Sequence, residues 1–180
     1  MKFHKHIVLI GFKHVGKTII GECLAKKLQK KFIDVDCEVK KFYEKKYNKG
    51  LTCRQIMQNY GEPFYRKLEY MVLKNIMLLE PSVISLGGGT LLSQSHQEII
   101  QNEILLHVEA PRGVVFERIM VDGLPAFFDP NKEPYESFNH LWDERNKIFK
   151  KMTPYVVNNS LTLEHAVNEA LLYVEKYSYA

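Results

Sequence analysis

Four consecutive apolar residues, Ile7-Val8-Leu9-Ile10, begin the pattern. A run without polar alternation marks a strand covered on both faces, as in a parallel sheet. The period then becomes helical, and Ile19, Ile20, Cys23, Leu24 and Leu28 predict a helix over 18–30. Phe32-Ile33-Asp34-Val35-Asp36 reads as a second short strand. Residues 37–47 read as a charged helix, ended by the turn chemistry of Asn48-Lys49-Gly50. Thr52-Cys53-Arg54-Gln55 is a capping box that starts another helix. After Tyr60-Gly61-Glu62-Pro63 a long helix runs to about Leu79 and is closed by Pro81. Strands are predicted at 83–86, 104–108 and 155–157, and helices at 94–101, from Ala110-Pro111 onward, through Leu141, Arg145 and Phe149, and over about 162–176. Strands alternating with helices imply an α/β fold, a parallel sheet with helices on both faces. Residues 122–138 break the pattern with Gly123, Pro125, Pro130 and Pro134, an irregular segment of the kind that forms a mobile lid.

The eight residues after the first strand, Gly11-Phe12-Lys13-His14-Val15-Gly16-Lys17-Thr18, fit G-x-x-x-x-G-K-[ST], the phosphate-binding loop. Strand before and helix after is the context that motif needs. The glycines permit the tight turn and a close backbone approach. Successive N–H groups and the positive end of the helix then face a polyphosphate. Lys17 is placed to reach the terminal phosphates, and the Thr18 hydroxyl to ligate the Mg²⁺ ion that accompanies them. The expected ATP contacts along this stretch are Gly11, His14, Val15, Gly16, Lys17, Thr18 and Ile19.

Length and composition narrow the frame. A chain of 180 residues makes one domain. At this size folding buries roughly 70% of the unfolded chain's surface, so no staples are needed. No apolar run approaches a membrane span, and the first residues carry no signal-peptide core. Cys23, Cys37 and Cys53 are odd in number and lack a C-x-x-C, which points to reduced thiols in a cytoplasmic protein. The net charge of +4 is uneven: residues 1–67 hold 16 Lys and Arg against 6 Asp and Glu, and residues 68–180 hold 9 against 15. The lysines fall in pairs along helical stretches without interleaved aromatics, so they read as solvated faces and not as a nucleic-acid surface.

A phosphate loop does not choose a chemistry, and the second strand narrows it. Ligands of open parallel sheets gather at the carboxyl ends of the strands, where Asp34 and Asp36 arrive. Strand alternation predicts both on one face. One could hold magnesium and the other could accept or orient a proton from an alcohol. The competing reading is that they cap the next helix.

The loop, the Phe32–Asp36 strand, the run Gly61-Glu62-Pro63-Phe64-Tyr65-Arg66-Lys67-Leu68-Glu69, the Gly87-Gly88-Gly89 triplet and Arg145 together resemble shikimate kinase, in order and spacing from about residue 7 to 160. The resemblance implies a P-loop NTPase of the nucleoside-monophosphate-kinase-like class. That class is a three-layer αβα domain with a five-stranded parallel sheet of order 2-3-1-4-5 and a mobile lid. It divides residues 1–180 into a core (about 1–36, 80–121 and 139–180), substrate-binding helices (about 37–79) and a lid (about 122–138). It implies transfer of the γ-phosphoryl of ATP to the 3-hydroxyl of shikimate, in the route to chorismate and the aromatic amino acids, by a monomer with Mg²⁺ as cofactor. By position, Asp34 matches the aspartate near magnesium. Asp36 matches the one that binds the shikimate hydroxyls and serves as base. Arg66 and Arg145 match the arginines on the substrate carboxylate, Gly87, Gly88 and Gly89 the backbone against the ring, and Arg118 an arginine beside the adenine. The chemistry agrees, since a planar guanidinium meets a carboxylate with two parallel hydrogen bonds and lysine does not. Taken singly, each arginine could equally be a surface ion-pair partner, and the triglycine an ordinary loop.

The pattern breaks in two places. The lid slot that usually carries an arginine holds Leu124, which leaves Lys13 or Lys132 to supply that charge, and Phe149 stands where a tyrosine is usual. Two other functions stay open on the sequence: a kinase of another small hydroxy acid such as gluconate, and a nucleotide-binding module without turnover.

Overall fold

The computed structural model describes residues 4–123, 128–129 and 131–178. Five strands form one parallel sheet in the order β2-β3-β1-β4-β5: β1 (Ile7–Ile10), β2 (Phe32–Asp34), β3 (Val83–Ser85), β4 (Ile104–Glu109) and β5 (Val156–Asn158). Central β1 pairs Ile7 with both Val83 and Ile104. Every side chain of β1 is buried, as its unbroken apolar run requires. The outer strands continue the register, Phe32 beside Val83 and His107 beside Val156.

Among the described residues eight α-helices flank the sheet: α1 (Lys17–Leu28), α2 (Val35–Tyr47), α3 (Cys53–Tyr60), α4 (Glu62–Ile76), α5 (Gln94–Ile100), α6 (Arg112–Val121), α7 (Pro134–Met152) and, after the last strand, α8 (Leu163–Ser178). Helix α1 packs over β2 and β3 and against α8, which in turn lies on β4 and β5; α7 contacts β4. Among the described residues no helix is long and apolar enough to cross a membrane. Of the eight paired lysines in the first two helical stretches, all but the half-buried Lys30 are exposed, which fits solvated helix faces.

Three expectations need correction. The second strand ends at Asp34, and Asp36 sits in the first turn of α2. Asp34 itself stops the strand: its Oδ1 accepts from the Cys37 backbone N–H at 3.1 Å and caps the helix. The two aspartates therefore do not share a strand face. The irregular stretch is also shorter than 122–138, because α7 begins at Pro134, whose fixed φ suits a first helical turn. Finally, α4 stops at Ile76, before Leu79. The predicted capping box is present, with Thr52 Oγ1 accepting from Gln55 N–H at 3.2 Å and Gln55 Oε1 accepting from Thr52 N–H at 2.9 Å. Leu124 and Pro125 of the expected lid, and Pro130, lie outside the described residues.

Candidate active site

The parallel sheet brings the carboxyl ends of β1, β3 and β2 side by side, so the loop after β1, the triglycine after β3 and Asp34 at the end of β2 become neighbours. Three residues of the phosphate loop take positive φ: Gly11 at 143°, His14 at 65° and Gly16 at 101°. Glycine is needed at both ends for space as well as for angle. A Cβ on Gly11 would collide with the Val108 carbonyl oxygen, and one on Gly16 with the Asn159 amide. Gly16 is also the N-cap of α1 and contributes no side-chain acceptor, and no acidic residue follows in the first turn. The first N–H groups of α1 thus have no side-chain cap, and the helix end favours an anion there.

Lys17 is buried at 7% exposure. Its Nζ donates to the Gly11 and Phe12 carbonyls at 3.0 and 2.7 Å. Burial pulls its pKa down to about 8, against the pull of Asp36 and Asp34. A triphosphate beside this ammonium would return the charge compensation that burial removes.

Thr18 Oγ1 donates to Asp34 Oδ2 at 3.1 Å. A hydroxyl and a carboxylate oxygen together at the mouth of the loop are hard donors of the type Mg²⁺ takes. That ion completes its shell with water and substrate phosphate, so one carboxylate suffices. Asp34 is thus a helix cap through one oxygen, and its other oxygen, with Thr18 Oγ1, is a candidate cation ligand.

Asp36 lies against the triglycine: a Cβ on Gly87 would come within 2.8 Å of its Oδ1. Gly88 approaches the Lys13 backbone nitrogen at 2.7 Å by the same test, and Gly89 approaches Arg66 Nη2 at 2.6 Å. The three glycines therefore form the floor that lets the carboxylate, the phosphate loop and a guanidinium meet.

Arg66 sits on α4 between two carboxylates. Its Nε and Nη2 donate to Glu62 Oε1 at 3.1 and 2.8 Å, and its Nη1 to Glu69 Oε2 at 2.8 Å. A guanidinium has five N–H donors; these bonds leave one hydrogen on each terminal nitrogen, the pair a carboxylate engages. Glu69 is fully buried and is held by Thr90 Oγ1 at 2.6 Å. Burial alone lowers the Arg66 pKa, but Glu69 and Glu62 outweigh it and the net shift is upward.

Arg145, on α7, is buried, donates to the Gly88 carbonyl at 3.4 Å and stacks over the Phe12 ring at 5.1 Å. Burial and then the Arg66 cation lower its pKa to about 10. The two guanidiniums both reach the triglycine, Arg66 at Gly89 and Arg145 at Gly88, close enough to repel, and an anion between like charges would favour the charged form of each. Arg66 is ion-paired with exposed Glu62 and buried Glu69, so the ion-pair reading of that arginine is present in the structure.

The remaining loop residues fall where the motif puts them. Val15 is buried and Ile19 is exposed in the first turn of α1. Arg118 donates to the His14 carbonyl at 3.0 Å, which fastens α6 to the loop. His14 Nε2 lies 3.2 Å and Lys13 Nζ 3.6 Å from Asp122. Burial, then Lys13, lower the His14 pKa, so at neutral pH the charge opposite Asp122 comes from Lys13. Phe12 packs beneath the loop against Phe138 and Trp142, with ring centroids at 5.5 and 5.3 Å.

Sequence reasoning missed Asn159, whose Nδ2 donates to the Val15 carbonyl at 2.9 Å across 144 residues of chain. It gave Tyr65, Glu69, Thr90 and Asp122 no role. Glu69 and Tyr65 lay inside a quoted motif and could have been found there; Asn159 offered no signal.

A parallel sheet ordered β2-β3-β1-β4-β5, with a phosphate loop after its central strand and two arginines beside the triglycine, defines a P-loop kinase of the nucleoside-monophosphate-kinase-like class. The family model for shikimate kinase matches residues 13–175, and the chain belongs to that family. A shikimate kinase of Caldicellulosiruptor bescii is 35% identical over 168 residues, covering 93% of this chain and 94% of its own. The solved shikimate kinase of Aquifex aeolicus superposes with a TM-score of 0.76 at 30% identity, over 96% of this chain and 98% of its own. The one from Acinetobacter baumannii, solved in complex with shikimate, gives a TM-score of 0.81 at 23% identity, over 97% and 93%.

Proposed function

We infer that this protein transfers the γ-phosphoryl of ATP to the 3-hydroxyl of shikimate, as its family and the shikimate-bound relative support. The observation that carries the reading is the triglycine, along which Asp36, the phosphate loop and Arg66 all approach within contact distance. Shikimate is a hydroxylated ring with one carboxylate. Arg66 and Arg145 would bind that carboxylate with the planar forks that suit it. Asp36 would orient the 3-hydroxyl and accept its proton as the bond to phosphorus forms. Lys17 and the loop amides would hold the β- and γ-phosphates, with Arg118 beside the adenine. Mg²⁺, held by Thr18 and Asp34, would offset phosphate charge. Phosphoryl transfer asks for this positioning and charge neutralisation more than for covalent chemistry. Shielding the site from water would keep ATP from unproductive hydrolysis.

A coupled ADP-release assay with shikimate, gluconate and other small hydroxy acids tests the reading. Shikimate-dependent ADP formation is expected, and ATP binding without any acid-dependent turnover would overturn it. In the same assay Arg145→Ala should raise KM for the acid at least tenfold, and an unchanged KM would remove the arginine from the carboxylate. The expected monomer is checked by light scattering.

A further inference from the structure

Asp36 is held from two neighbouring helices. The Cys53 thiol, on α3, donates to its backbone carbonyl at 3.3 Å. The Tyr65 hydroxyl, on α4, donates to its Oδ1 at 2.9 Å. Tyr65 is 2% exposed and its ring lies 5.6 Å from the Arg66 guanidinium. Gly87 closes over the same oxygen, since even a methyl there would sit 2.8 Å away. One carboxylate oxygen is thus fixed between a phenol and a backbone. Among the described residues no hydrogen bond falls on the other, Oδ2.

We propose that Tyr65 is a positioning residue for the reaction: its hydroxyl locks Oδ1 so that Oδ2 of Asp36 is presented to the hydroxyl nucleophile. This rests on the shikimate phosphorylation inferred above. A carboxylate on a free side chain turns about two bonds, and a misplacement on the order of 1 Å at a reacting group lowers rates by up to about 10²-fold. A phenol suits the task because it can be both buried in the apolar core and hydrogen-bonded at its tip. Burial, then the charges of Asp36 and Glu69, push its pKa far above the ordinary value. The group therefore keeps its proton and serves as a donor throughout the working range. Tyr65 and Arg66 are adjacent on one helix, so the same turn of α4 aims the carboxylate and braces the acid-binding guanidinium.

The test compares steady-state kinetics of the wild type, Tyr65→Phe, Asp36→Asn and the double variant, with shikimate, ATP and Mg²⁺. Tyr65→Phe keeps the ring and loses only the hydroxyl. We expect its kcat to fall about tenfold while KM for shikimate stays within about twofold and ADP binding is retained. In the Asp36→Asn background the second change should alter kcat less than about twofold, because a residue acting through Asp36 has nothing left to position. A kcat at or above the wild-type value, or a rise in KM alone, would overturn the proposal. So would a further tenfold loss in the Asn background, or loss of ADP binding with kcat, which would make Tyr65 a structural residue. Absence of shikimate turnover in the wild type is a separate outcome; it removes the functional reading and this proposal with it.

Discussion

If Lys17 meets the nucleotide phosphates, nucleotide affinity should depend on pH in a window where the nucleotide itself no longer titrates. Burial lowers its pKa from 10.5 to about 8, although two loop carbonyls accept from its Nζ at 2.7 and 3.0 Å. Bound phosphates would restore the charged form, so above pH 8 binding must take up a proton. With one such group, affinity falls by the factor 1 + 10^(pH − pKa), which predicts about an eightfold loss for ADP between pH 7.5 and 9. Calorimetry at pH 9 in buffers of different ionisation enthalpy should register about 0.9 proton taken up per ADP. The Lys17→Met variant should bind more weakly at every pH and lose the slope. Affinity that stays level across the window would mean the carbonyls, Asp34 and Asp36 fully offset desolvation, and the reasoning would fail. The same shift has a stability side. A lysine whose folded pKa lies below its unfolded one opposes folding fully below about pH 8, here by about 3 kcal/mol. That penalty fades as pH rises toward 10.5, so stability of the ligand-free chain should rise through this window wherever no other group intervenes.

Three further outcomes are expected. Gly89→Ala places a methyl 2.6 Å from Arg66 Nη2; the flexible guanidinium yields and the fold survives, so KM for shikimate should rise about tenfold with KM for ATP unchanged, the loss expected for one charged hydrogen bond, and an unaltered acid KM would contradict the placement of Arg66. Thr52→Ala removes the capping box of α3 and should lower stability by about 1 kcal/mol, seen in calorimetry as a fall of about 2–4 °C in Tm. With leucine in the usual arginine slot at 124, Lys13 or Lys132 is expected to supply the missing charge; replacing each by alanine should lower kcat by at least about tenfold for the one that does, given what such cations contribute in other phosphoryl transfers, and if both variants keep full kcat neither is the substitute.

What the chain revealed in advance was whatever depends on local pattern. The apolar run at 7–10, the glycine spacing of the loop and the capping box at Thr52 are decided within a few residues, and each is present. Asp36 was misread because a spacing of two looks the same on a strand as across a strand-to-helix junction. The junction was set by Asp34 reaching Cys37 N–H, a bond available to any aspartate at such a point. The start of α7 was hidden for a similar reason: Pro134 ends a loop as readily as it opens a helix. The two arginines are ambiguous one at a time in the sequence, and only the fold brings both to the triglycine, Arg66 at Gly89 and Arg145 at Gly88. Asn159 was out of reach because nothing near it in sequence tells which carbonyl it will find.

Trp142 is the single tryptophan of the chain. Its ring rests 5.3 Å from Phe12, inside the nucleotide loop, with the Arg112 guanidinium 5.9 Å away on the same indole. All indole fluorescence therefore originates at one point under the nucleotide site, on the helix that also carries Arg145. The molecule contains its own optical reporter, with no second indole to blur the signal when either substrate arrives, provided excitation is chosen to leave the tyrosines dark.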